Sequence, residues 1–207
     1  MRPRGVGEVV EAIVSYLKVR RADESAVALL LDRLRDVGSC VDGPPVPPRH
    51  NHELTDAVTR MCVAEDEQLA EVGRSIRSAA EYLAWKVDDG QYYSSRAPVG
   101  DSYRHGNMHS ILAEGDDFVM GLFLLVPAVD YLDHRHEAPE FYLNLTGPSL
   151  WRFDFGDWIE MPAGSVVWNG QGQVHATRTG SASWLSLWAW LRDIDQLCEV
   201  MEAPSSR

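Results

Sequence analysis

Cysteine is scarce in this chain of 207 residues: there are three, Cys40, Cys62 and Cys198, and no two form a Cys-x-x-Cys pair. An odd count without that spacing points away from a disulfide framework and from a cysteine-built zinc site. It points toward reduced thiols in a cytoplasmic protein. Long apolar runs are also lacking. The longest, residues 118–126, is far short of the roughly 20 residues that span a bilayer. Glu8, Glu11 and Lys18 interrupt the apolar segment a secretory leader would need, so no signal peptide is expected. Positive charge is in deficit: 19 Lys and Arg stand against 31 Asp and Glu, a formal net charge of −12. A surface of that sign repels nucleic acid and anionic membranes, and neither is expected as a partner. Internal repeats and low-complexity tracts are absent as well.

Hydrophobic residues make up 45% of the chain and charged residues 24%, the balance of a soluble globular protein long enough to bury a core. The hydrophobic pattern changes period along the chain. Val6, Val9, Val10, Ile13, Val14 and Leu17 recur at helical spacing. A second helix follows, with Asp23 as its N-cap and Gly38 just past its end. A proline-rich connector runs over residues 40–51. A third helix begins near His52, and a fourth extends to about residue 87. After that, short segments alternate with turn signals such as "EGDD", "TGPS", "MPAGS" and "NGQG". "FVMGLFLLV", "EFYLNL", "SLWRFDF", "SVVWN", "VHATR" and "SWLSLWAWL" read as strands of a β-sandwich or barrel. The expected architecture is α+β: a helical region over residues 1–90 packed on a barrel over residues 91–207, closed by a short helix over residues 194–201.

One strand-like segment, "YLDHRHEAPEFYLNLTG", holds more ionisable groups than a buried strand tolerates unless they have partners. Side chains two apart share a face of an extended segment. His134, His136, Glu140, Tyr142 and Asn144 then face one way, and Phe141, Leu143 and Leu145 the other. The polar set points into the barrel. Two imidazoles and a carboxylate on one face suit a divalent transition metal, and His175 in "VHATRT" is a fourth ligand from another strand. Tyr131 has the wrong parity and needs a bend to join them. Along "SWLSLWAWL", Trp184, Ser186, Trp188 and Trp190 share one face. Trp184 is read as packing against the helices and Trp190 as lining a pocket. His105 and His109 are read as structural, and His50 and His52 as surface residues.

The spacing resembles the two cupin motifs. His134-x-His136, three residues, Glu140, six residues and Gly147 fit the first, with Ala128 in place of its leading glycine. Gly164, Gly172 and His175 fit the second, where Gly170 replaces a proline and Thr179 an asparagine. Over residues 107–191 the chain is similar to the cupin-type dimethylsulfoniopropionate (DMSP) lyases. That resemblance implies His134, His136, Glu140 and His175 as ligands of one divalent ion (Fe, Mn, Zn, Co or Ni), and Tyr142 as general base. Tyr131 is implied beside it as a catalytic and substrate-contacting residue, with Trp188 and Trp190 lining the substrate pocket. It implies a small-molecule substrate, DMSP, cleaved to dimethyl sulfide and acrylate by a monomer or homodimer. The ligand set also suits a cupin dioxygenase or isomerase, or a non-enzymatic sensor. A DNA-reading sensor would need a basic helical half, and Arg20, Arg21, Arg33 and Arg35 are too few in so acidic a chain.

Overall fold

The computed structural model describes residues 5–37, 44–94 and 99–203; Gly38 and Cys40 lie outside the described residues. α1 (Val6–Arg20) buries Val6, Val9, Ile13 and Leu17 along the expected stripe. α2 (Ser25–Asp36) starts after Glu24 rather than Asp23, with no side-chain cap. α3 (Asn51–Cys62) and α4 (Glu67–Ser78) pack closely against each other. Their backbones approach at Gly73, where an added Cβ would lie 2.7 Å from Met61 Cβ. Asp66 caps α4: its Oδ1 accepts from the backbone N–H of Gln68 at 3.0 Å and of Leu69 at 3.3 Å, satisfying two donors that have no partner inside the helix.

The fourth helix stops short of residue 87. A 3₁₀ turn over Ala80–Tyr82 leads into β1 (Trp85–Lys86), which pairs with β2 (Asn107–Gly115). Its last residues gain ladder partners in place of helical ones. α5 (Asp101–Gly106) precedes β2. The remaining strands are β3 (Phe118–Leu125), β4 (Asp130–Arg135), β5 (Glu140–Asn144), β6 (Ser149–Phe153), β7 (Ile159–Met161), β8 (Val166–Asn169), β9 (His175–Arg178), β10 (Trp184–Trp190) and β11 (Glu199–Val200). They form a six-stranded sheet in the order β1-β2-β3-β10-β5-β8 and a five-stranded sheet in the order β11-β4-β9-β6-β7.

No helix forms over residues 194–201. Val200 pairs with His134 and Glu199 with Arg135 on β4, and the N–H of Met201 donates to Asp133 O at 2.7 Å. A lone helix this short is marginal in water, whereas the same residues cover an open edge of β4.

Alternation along the strands divides two cores. On β10, Leu185, Leu187 and Ala189 face outward, and on β5 Phe141 and Leu143 do the same; all join Val9, Ile13 and Leu17 of α1 in one cluster. Each leucine buried there contributes about 2 kcal/mol. The opposite faces send Tyr142 and Trp184 into a second cluster inside the barrel, with Phe123 and Trp151. Trp184 therefore does not pack against the helices. Its Nε1 donates to Asn144 Oδ1 at 3.1 Å, and its ring meets Phe123 and Trp151 edge to face; that polar partner exists only on the barrel's inner side. Arg21 Nε donates to Gly164 O at 2.8 Å and Arg60 Nη2 to Ser183 O at 2.7 Å, tying the helices to loops of the barrel.

Candidate active site

The ionisable segment is not one strand. Tyr131 and His134 lie on β4 of the five-stranded sheet, and Glu140, Tyr142 and Asn144 lie on β5 of the other. The chain crosses between the sheets over residues 136–139. The polar residues meet because both sheets turn their inner faces to the same interior. Tyr131 joins them through a bulge. It pairs with Thr177 while His134 pairs with His175, so β4 advances three residues where β9 advances two. The extra residue reverses the parity that a straight strand would impose.

His134, His136 and His175 are all buried, with ligand atoms within 4.8 Å of one another. Each Nδ1 lies against a backbone carbonyl: His134 at 2.8 Å from Leu132 O, His136 at 2.7 Å from Ala138 O, His175 at 3.0 Å from Gln173 O. A carbonyl only accepts, so Nδ1 carries the proton and Nε2 presents its lone pair. Nε2 of His136 and of His175 is buried without a hydrogen-bond partner. Orphaned buried nitrogens aimed at one point are the donor set of a divalent transition-metal site, and the residues present fit such an ion.

Glu140 lies at the edge of this group. Its Oε2 is 3.4 Å from His136 Nε2 and 3.3 Å from His175 Nε2. Trp190 Nε1 donates to its Oε1 and Asn169 Nδ2 to its Oε2, both at 2.9 Å. Burial alone would push this carboxyl up, but a proton on His136, which an ion bound at the triad would displace, outweighs it and holds the carboxyl well below the usual carboxylate range. His134 is shifted well below the usual imidazole range by burial and by the two neighbouring histidines.

Tyr142, Tyr131, Trp188 and Trp190 all line one cavity of about 460 Å³ that reaches Glu140. The Tyr131 ring stacks between His134 at 4.2 Å and Tyr103 at 4.1 Å, and its hydroxyl is hydrogen-bonded to that of Tyr93. Burial, reinforced by the Glu140 charge, pushes the Tyr142 phenol well above its ordinary value. His105 lies outside the cavity, exposed, with Nδ1 beside Asp101 O. His109, read as structural, lines it, as do Asp88, Tyr92, Tyr93, Tyr103, Phe123 and Cys198. β1 and β2 bring Asp88 and His109 there, and recognising β2 as a strand would have placed His109 on an inner face.

Fold and site together define a cupin barrel with a buried imidazole triad able to hold a metal ion. A family-wide sequence profile described as dimethylsulfoniopropionate lyase matches residues 45–186, more than half of the chain. The chain belongs to the DMSP lyase family. Among curated proteins none matches. A solved structure reported with the DMSP lyases RdDddP and RnDddQII superposes with a TM-score of 0.66 at 17% identity, over 95% of this chain and 97% of that one. The DMSP lyase DddQ from Ruegeria pomeroyi DSS-3 gives a TM-score of 0.63 at 17% identity over the whole of both chains. At that identity the two structures establish the shared fold.

Proposed function

We propose that this lyase cleaves the carbon–sulfur bond of DMSP, giving dimethyl sulfide and acrylate. One observation carries the reading: in a chain of the DMSP lyase family, the aimed triad of His134, His136 and His175 lies directly behind Glu140 and Tyr131, which line an aromatic cavity that also holds the phenol of Tyr142. The three histidines, with Glu140 beside two of them, would hold the metal. A divalent ion bound there would supply Lewis acidity to the substrate carboxylate and lower the pKa of a nearby phenol. Tyr142, as phenolate, takes the proton from the carbon next to the carboxylate, forming its O–H bond. The released pair becomes the carbon–carbon double bond. The carbon–sulfur bond breaks with its pair going to sulfur, so dimethyl sulfide departs neutral and needs no acid. Tyr131, held between two rings, orients the substrate with Trp188 and Trp190. Aromatic faces hold an onium group by about 0.5–2 kcal/mol each.

The test is a headspace assay for dimethyl sulfide with metal analysis on the same sample. The metal-loaded chain should release dimethyl sulfide from DMSP with or without oxygen, which separates elimination from a dioxygenase reaction. Chelation should abolish release, and metal should restore it. Tyr142→Phe should lower turnover by about 10²-fold or more, the range of a positioned general base, with metal content unchanged. Full metal content without dimethyl sulfide would refute the substrate assignment, and activity surviving metal removal would refute the mechanism.

A further inference from the structure

The cavity has a second pole away from the triad. Asp88 lines it and is only 5% exposed. Its carboxylate accepts from neutral donors, Tyr103 OH at 2.7 Å on Oδ2 and the Gly90 N–H at 2.8 Å on Oδ1. Among the described residues no Lys, Arg or His forms an ion pair with it. A buried carboxylate without a cation is costly, and burial raises the pKa of this one. The position is rigid. Asp88 N donates to Asn107 Oδ1 at 2.8 Å, and Asn107 Nδ2 donates to Asp88 O and to Tyr103 O, each at 2.7 Å.

The rest of the wall lacks positive charge. Among the described lining residues there is no Lys or Arg. The sole basic candidate is His109, two residues beyond Asn107 on β2 and therefore on the same face. It is 5% exposed and neither ring nitrogen has a hydrogen-bond partner among the described residues. Burial, with the charge of Lys86 next, lowers its pKa to about 4, so it stays neutral in ordinary buffers. Lys86 itself is exposed and outside the lining. Of the other carboxylates lining the cavity, Glu140 is buried beside the triad and hydrogen-bonded to Trp190 and Asn169, while Glu114 and Asp195 line it from exposed positions, where water and salt screen them.

The two poles are linked by rings. Tyr103, bonded to Asp88, stacks on Tyr131, and Tyr131 stacks on His134. A zwitterion bound between them would turn its carboxylate toward the triad and its cation toward Asp88.

We propose that Asp88 is a specificity-determining residue: its buried carboxylate is the counter-charge for the substrate's onium group and selects ligands that carry a permanent cation. The proposal rests on the DMSP reading above and adds a residue to it.

The experiment uses two inert ligands of one shape, the zwitterion 3-(trimethylammonio)propanoate and its carbon isostere 4,4-dimethylpentanoate, which keeps the carboxylate but has an uncharged tail. Their binding to the metal-loaded full chain is measured by calorimetry. The wild type should prefer the cation at least tenfold. Asp88→Asn should cut that preference at least fivefold while moving the affinity of 4,4-dimethylpentanoate less than twofold. Glu114→Gln, at an exposed carboxylate, should keep the wild-type preference. Asp88→Ser serves as a second variant if Asp88→Asn does not fold, and a wild-type preference near one overturns the proposal without any variant. A preference unchanged on losing Asp88 also overturns it. Turnover of DMSP with an unchanged preference sinks this inference alone. No turnover with a preference that depends on Asp88 sinks the DMSP reading alone.

Discussion

His109 is a buried base without a hydrogen-bond partner among the described residues, and that gives it a measurable signature. In the unfolded chain it binds a proton below about pH 6.5, but in the folded protein only below about pH 4. Between those values the unfolded state holds more protons, so stability falls as the pH drops through the window and levels off beneath it. The loss is about 3 kcal/mol in full, at about 1.4 kcal/mol per unit. Urea denaturation of His109→Gln at pH 7 and pH 4.5 should show a drop smaller than that of the wild type by most of this amount; equal drops would refute it. Residues of this kind separate what sequence shows from what it hides. His134, His136, Glu140 and His175 announce themselves because they fall at fixed spacings within two short stretches. Asp88, Tyr93 and Tyr103 carry no such mark. They reach the cavity only through the pairing of β1 with β2, through α5, and through the bridge between Tyr93 and Cys198.

At the scale of the element, Asp66 joins α3 to α4 and supplies the only side-chain cap among the described helices. Asp66→Ala should cost about 1 kcal/mol, read as a fall in the denaturation midpoint with no change of slope. Its half-exposed contact with Arg20 adds little. The strands β5 and β10 were legible because they alternate strictly and one face is uniformly apolar. β11 was not, since two residues carry no period, and what holds them is the open edge of β4. The fourth helix was overrun for a related reason: Trp85 and Lys86 suit a helix locally, and only β2, some 20 residues on, gives them a ladder. The segment from His134 to Asn144 gave correct faces from an incorrect geometry. An even number of residues separates the ligands whether or not the chain changes sheet between them.

For the whole molecule, the governing fact is that the six-stranded sheet has two buried faces. One lines the cavity, and the other packs against the helices through Met108, Met120, Leu122, Phe141, Leu143 and Leu187. Chain beginning at residue 91 would bare all of these at once, along with the β2 edge that β1 covers. Such a fragment should appear in the insoluble fraction, or bind a hydrophobic dye strongly if refolded. A soluble, cooperatively unfolding fragment would show that the helices are not needed for the barrel. The α+β division itself was legible from the change of hydrophobic period. The use of both sheet faces was implied only indirectly, by a strand with apolar residues on one side and aromatic or polar residues on the other.

The acceptors that orient the three imidazoles have a consequence for altering this protein. They are the main-chain oxygens of Leu132, Ala138 and Gln173, each two positions from its ring. Every amino acid carries that oxygen, so no exchange of side chains at these positions can delete one, not even at Leu132, which is 38% exposed. A library confined to substitutions can retune the field around the triad or remove a ring. Redirecting a ring requires inserting or deleting a residue, and the bulge between Tyr131 and His134 is where a change of length would act first.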